Sequence, residues 1–149
     1  MKKTTITFIS LFAFAIIALA FQSSKQQDQE SWTEKQLMPP AELAKIINGG
    51  NTSGTYIFNI GPSGTIKNAI DIGDGKEKNN LDKLKKEVSK LPKDANIVIY
   101  CGCCPFEHCP NIRPTFSLLN EMNFTNHKLL NLPKNLKVDW IDKGYPMAE

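Results

Sequence analysis

Outside residues 101–109 the 149-residue chain has no cysteine, so no disulfide framework spreads across it to staple a fold. Acidic residues are missing from the first twenty positions, which carry two lysines; with those positions set aside, the formal charge of +3 falls close to neutrality. No polyanion-binding footprint remains. The lysines between Lys83 and Lys90 have no aromatic residues among them, so they read as the solvated face of a helix and not as a nucleic-acid surface. No internal repeat is visible. The longest apolar run, Leu11 to Phe21, falls short of the roughly 20 residues that span a bilayer. With 41% hydrophobic and 22% charged residues the composition is that of one globular domain, which excludes a multi-span membrane protein and a long disordered chain.

Lys2 and Lys3 precede the apolar run, and Ala18-Leu19-Ala20 supplies the small-x-small pattern that a signal peptidase reads. Residues 1–20 therefore read as a signal peptide, cleaved after Ala20. No cysteine stands directly after that point, which argues against a lipid anchor; a soluble, monomeric, exported protein is expected, periplasmic or secreted, with no membrane attachment once cleaved. Residues 21–31, which include Gln22 to Ser31, are nearly all polar and bury too little surface to offset the entropy of ordering them, as expected of a linker. Residues 32–149 have the size of a single domain.

Within that domain, Ala41 to Ile47 follows two prolines and precedes Asn48-Gly49-Gly50, a helix with a proline start and a glycine stop. Thr55 to Ile60 is an apolar, β-rich run between Gly54 and Gly61, a buried strand. Leu81, Leu84, Val88 and Leu91 recur at helical spacing among lysines. Asn96 to Tyr100 is the most continuous β-branched run, as a central strand covered on both faces requires. Ile112 to Met122 has helical periodicity with Asn111 or Thr115 near its start; Lys128 to Leu132 reads as a last strand, with His127 on the surface just before it. Trp140 and Tyr145 read as packing residues. Strands alternating with helices predict a three-layer α/β domain with a central, mostly parallel sheet and ligands gathered at the carboxyl ends of its strands.

All four cysteines lie in Cys101-Gly102-Cys103-Cys104-Pro-Phe-Glu-His108-Cys109, between the best strand and a helix start. Loops this short restrict the unfolded chain weakly, so sulfur chemistry is the better reason for the cluster. A thiol at a strand end facing a helix amino-terminus meets N–H groups and the positive end of the helix dipole, and both favour thiolate. Cys101 is thus the candidate nucleophile. Cys104 completes a Cys-x-x-Cys with it, as a resolving thiol or an inert disulfide partner, and Cys109 is the rival nucleophile or a second resolving thiol. Cys103 receives no role, because a vicinal bond to Cys104 is strained. Gly102 permits a tight turn beside the nucleophile. His108 is either a general acid or a solvated loop side chain; Arg113 either holds an anionic donor or pairs with a surface carboxylate. Together with Asn111, these three are the candidate substrate-binding residues. Glu107, His108 and the thiols all come from one loop, whereas zinc sites draw on separated pairs, so no metal site is expected; soft Cu(I) suits such ligands better than zinc.

The chain resembles the rhodanese-like family in three blocks that occur in the family's order. Gly64-Thr-Ile66-Lys-Asn-Ala69-Ile70 is similar to its Gly-His-Ile-Pro-Gly-Ala-Ile segment, Tyr100-Cys101 to the end of its nucleophile-bearing strand, and Trp140-Ile-Asp-Lys-Gly144-Tyr145-Pro146 to its closing Trp-x-x-x-Gly-x-Pro. Asn59-Ile60 stands where the family commonly has Asp-x-Arg, Thr65 and Lys67 replace its histidine and proline, and the loop after Cys101 is longer and richer in cysteine. No cysteine is followed by arginine at the sixth position, which sets the chain apart from phosphatase and arsenate-reductase relatives. The resemblance implies a sulfurtransferase in which Cys101 takes sulfur from a small donor such as thiosulfate and passes it to a nucleophilic acceptor, with no metal or organic cofactor. The competing expectations are a thiol-disulfide oxidoreductase using Cys101 and Cys104, and a non-catalytic module that binds copper or a persulfide.

Overall fold

The computed structural model describes residues 30–50, 52 and 54–149, so the expected signal peptide and the linker up to residue 29 lie outside the described residues. Five strands, β1 (Leu37–Met38), β2 (Thr55–Asn59), β3 (Ala69–Asp71), β4 (Asn96–Tyr100) and β5 (His127–Leu130), form one sheet in the order β1-β5-β4-β2-β3. Every pairing in it is parallel. Four helices, α1 (Pro40–Asn48), α2 (Lys78–Val88), α3 (Ile112–Glu121) and α4 (Leu136–Asp139), complete the three-layer α/β domain.

The alternation of side chains along β4 divides the core. Ile97, Ile99 and Cys101 point to the side where Leu84 and Val88 of α2 pack with Ile112, Phe116 and Leu119 of α3. Val98 and Tyr100 point to the other side, against Leu43, Ala44 and Ile47 of α1, Leu136 of α4, and Trp140. A strand buried on both faces needs apolar residues at every buried position, and Ile97 to Tyr100 supplies them. The same period of two puts Cys101 on the α3 side of the sheet.

The expected helices and the central strand lie where their periodicity places them. Three short elements, β1, β3 and α4, were not expected. The segment after Gly61 is not a plain loop: it carries buried Ile66 across the sheet and returns as β3, parallel to β2. Ile66 also bridges Met147 in the C-terminal tail, and the Trp140 indole N–H donates to Pro146 O at 3.1 Å. Trp140 is fully buried with Tyr145 edge-on at 5.2 Å, the packing role expected of both.

One expectation is overturned: His127 is buried, with 3% of its surface exposed. The first residue of β5 pairs with Ile97 of β4, lies beneath the Phe116 ring at 4.5 Å, and meets the Gln36 side-chain amide at 3.4 Å. Burial lowers the pKa of this imidazole, and its Nδ1 has no hydrogen-bond partner among the described residues. The carboxyl end of the linker also departs from a free tether. Ser31 O accepts from Asn120 Nδ2 at 2.9 Å, and Glu30 pairs with Arg113, so this end is docked on α3.

Candidate active site: a thiolate ringed by thiols

β4 delivers Cys101 at its carboxyl end, opposite the start of α3. Two turns close around it. In the first, the buried amide of Asn59 accepts from Gly61 N–H at 3.2 Å and donates to Ser63 O at 3.1 Å, which fixes the bend after β2. Ser63 Oγ in turn donates to Cys101 O. Gly61 lies so close to Cys101 Sγ that an added Cβ would overlap the sulfur. In the second turn Gly102 adopts φ +77°, a left-handed conformation that favours glycine, and it packs against Leu136 and Ser63 with no room for a side chain. Its carbonyl accepts the first N–H of α4, from Leu136 at 2.9 Å.

The left-handed turn brings Cys103 back onto Cys101. Its Sγ lies 3.3 Å from Cys101 Sγ and 3.2 Å from Cys104 Sγ. Cys109, carried back to the strand end by the short 3-10 turn Phe106–His108, completes a group in which the sulfurs of Cys101, Cys103 and Cys109 all lie within 4.8 Å of one another. Cys101 and Cys109 are buried, Cys104 half-buried and Cys103 exposed. None of the four is in a disulfide.

Asn111 aims at the same sulfur. Its Oδ1 accepts from Lys76 N–H at 3.2 Å, which turns the amide nitrogen toward Cys101 Sγ at 3.4 Å. Gly75, just before Lys76, packs so tightly on Thr115 and the Asn111 carbonyl that it too excludes a side chain. The donors act on the acidity of Cys101. The Cys109 thiol contributes most, followed by the Asn111 amide and the Cys103 N–H and thiol; against the opposing effect of burial they lower its pKa to about 6. Its neighbours move the other way. Desolvation and the adjacent Cys104 and Cys101 sulfurs raise Cys103 to about 12, and the hydrogen bond to the Cys101 thiolate, with burial, raises Cys109. At neutral pH the site is therefore one thiolate held by neutral thiols and amide donors.

The sequence-expected residues do not all converge. Cys101, Gly102, Cys109 and Asn111 do. Cys104 reaches the group through Cys103 and not directly. His108 is exposed, and its ring makes no hydrogen bond among the described residues. Arg113 sits on the surface: its Nη2 donates to Glu30 Oε1 at 2.8 Å, Glu30 Oε2 at 3.0 Å and Glu107 O at 2.8 Å, with the guanidinium over Trp32. The pair with Glu30 is a surface ion pair of the kind the sequence allowed. Sequence reasoning missed Cys103, Asn59, Gly61 and Ser63. The glycine beside a strand end was the available signal for Gly61; the approach of Cys103 depends on the left-handed Gly102, which spacing does not reveal.

Among the described residues no helix is long and apolar enough to cross a membrane. No protein-family model matches the chain, and no match is found among the curated proteins.

Proposed function

We propose that the chain is an exported, rhodanese-like sulfurtransferase in which Cys101 carries sulfane sulfur as a persulfide. The observation that carries this reading is the Cys101 sulfur itself: a thiolate at the carboxyl end of the central strand, held by the Asn111 amide, the Cys103 N–H and two neutral thiols. In the first half-reaction the thiolate attacks the outer sulfur of a donor such as thiosulfate. A Cys101 Sγ–S bond forms, the donor's S–S bond breaks, and sulfite leaves with the electron pair. In the second, a nucleophilic acceptor such as cyanide or a thiolate attacks the outer sulfur, and Cys101 departs as thiolate. The donors that lower the Cys101 pKa stabilise the anion in both states, as in an oxyanion hole. Cys101 is only 1% exposed and Cys103 covers it, so the donor reaches the sulfur when the exposed Cys103 side chain rotates aside.

The contact at 3.3 Å between Cys101 and Cys103 favours a second reading, thiol-disulfide exchange through that pair instead of through Cys101 and Cys104. Mass spectrometry separates the two. Reduced protein treated with thiosulfate and analysed without reductant is expected to gain about 32 Da on Cys101, removable by cyanide. Cys101→Ser should abolish the gain and Cys104→Ser should keep it. A loss of two hydrogens through a Cys101–Cys103 bond, with no sulfur gained and no sulfite or sulfide released from thiosulfate, refutes sulfur transfer and establishes the exchange reading.

A further inference from the structure

We propose that reduced Cys101, Cys103 and Cys109 form a three-sulfur site for a single Cu(I) ion, which enters past the exposed Cys103. This goes beyond sulfur transfer and does not rest on it, because it needs convergent thiols but no turnover.

The spacing suits a metal ion. With metal–sulfur bonds of about 2.3 Å, three sulfurs around a central ion stand about 4 Å apart. The three here already lie within 4.8 Å of one another, with Cys101 and Cys103 at 3.3 Å, so closure asks only for small side-chain shifts. Cys103, the sulfur that must move outward from Cys101, is the exposed one. The other two are buried on the strand end and beside the start of α3, so two of the three ligands are positioned before the ion arrives.

Ligand number and type select the ion. No fourth cysteine, histidine or carboxylate belongs to the group among the described residues, whereas structural zinc is almost always four-coordinate. Soft thiolates favour Cu(I), and three sulfurs complete a trigonal shell for it. The environment also fits an anionic cluster. The Asn111 side-chain amide donates to the Cys101 sulfur, and the amino-terminus of α3 adds the positive end of its dipole. The step balances without redox: Cu(I) forms three Cu–S bonds, the thiols of Cys103 and Cys109 release two protons to solvent, and copper keeps its oxidation state.

The test is anaerobic titration of the full reduced chain with Cu(I) in the presence of a competing Cu(I) chelator, followed by X-ray absorption at the copper edge. One copper per chain with a shell of three sulfurs is expected. Cys103→Ser should weaken binding by more than about tenfold, while Cys104→Ser should leave it within about threefold. Both side chains reach the surface of the loop, and circular dichroism checks that each variant folds. Failure to hold copper against the chelator, a fourth ligand in the shell, or a Cys104→Ser loss as large as that of Cys103→Ser overturns the proposal. None of these outcomes depends on whether thiosulfate transfers sulfur.

Discussion

Replacing Cys109 by alanine removes the largest influence that makes Cys101 acidic while leaving its burial in place. A hydrogen bond to a charged group contributes about 1.5–3 kcal/mol net. At about 1.36 kcal/mol per pKa unit, losing that bond moves the Cys101 midpoint up by about one to two units. From about 6 in the parent, the variant should titrate near 7 to 8. At pH 7 the ratio of thiolate to thiol then falls from about ten to one to between about one to one and one to ten. The readout is the pH dependence of iodoacetamide alkylation, followed at the Cys101 peptide by mass spectrometry so that the other thiols do not contribute. Alanine is small and apolar, so the buried Cys109 position tolerates it with only a small cavity. A midpoint that stays near 6 in Cys109→Ala refutes the argument that the neighbouring thiol holds the thiolate.

The same shift enters folding stability. The Cys101 pKa is lowered in the folded chain relative to the ordinary 9.0, so its contribution is fully present above 9.0 and is lost as pH falls through about 6. The raised values of Cys103 and Cys109 reverse the slope above 9.0, where the unfolded thiols ionise and the folded ones do not. Denaturation midpoints of the parent minus those of Cys101→Ser should therefore rise from pH 6 to 9, and a flat difference contradicts the assignment. Asn111→Asp places a carboxylate against the thiolate and should raise the Cys101 alkylation midpoint further than Asn111→Ala does; the opposite order removes Asn111 from the site. Gly102→Ala combines a left-handed backbone with contacts to Leu136 and Ser63 and should destabilise the fold by about 1–3 kcal/mol in urea denaturation, where an unchanged midpoint would contradict the packing of that turn.

What was legible in the sequence follows from the size of each signal. β4 was plain because burial on both faces demands an unbroken apolar run, and Ile97 to Tyr100 supplies one. The helices were plain because their apolar stripes run for two turns or more. β1 and β3 have two and three residues, too few for any period to register. α4 is a single turn, held by the Asn135 side chain on Val138 N–H and by Asp139 on the preceding amides. His127 was misplaced because a strand's end is exposed or covered according to its neighbours in the sheet, and strand order is not written in local composition.

The cysteine loop was half legible for a different reason. Pairing Cys101 with Cys104 rests on the Cys-x-x-Cys motif, whose two thiols can form a disulfide. Residues 101–104 are not helical: the chain leaves β4 extended and turns at the left-handed Gly102, so the partner brought back to Cys101 is two residues on, not three. The three-sulfur group comes from this one loop, since the 3-10 turn at Phe106–His108 returns Cys109 to the strand end. The bend at Gly102 thereby decides the chemistry of the site. It sets Cys103 against Cys101, and it leaves Cys104 one sulfur farther out, reaching Cys101 only through Cys103.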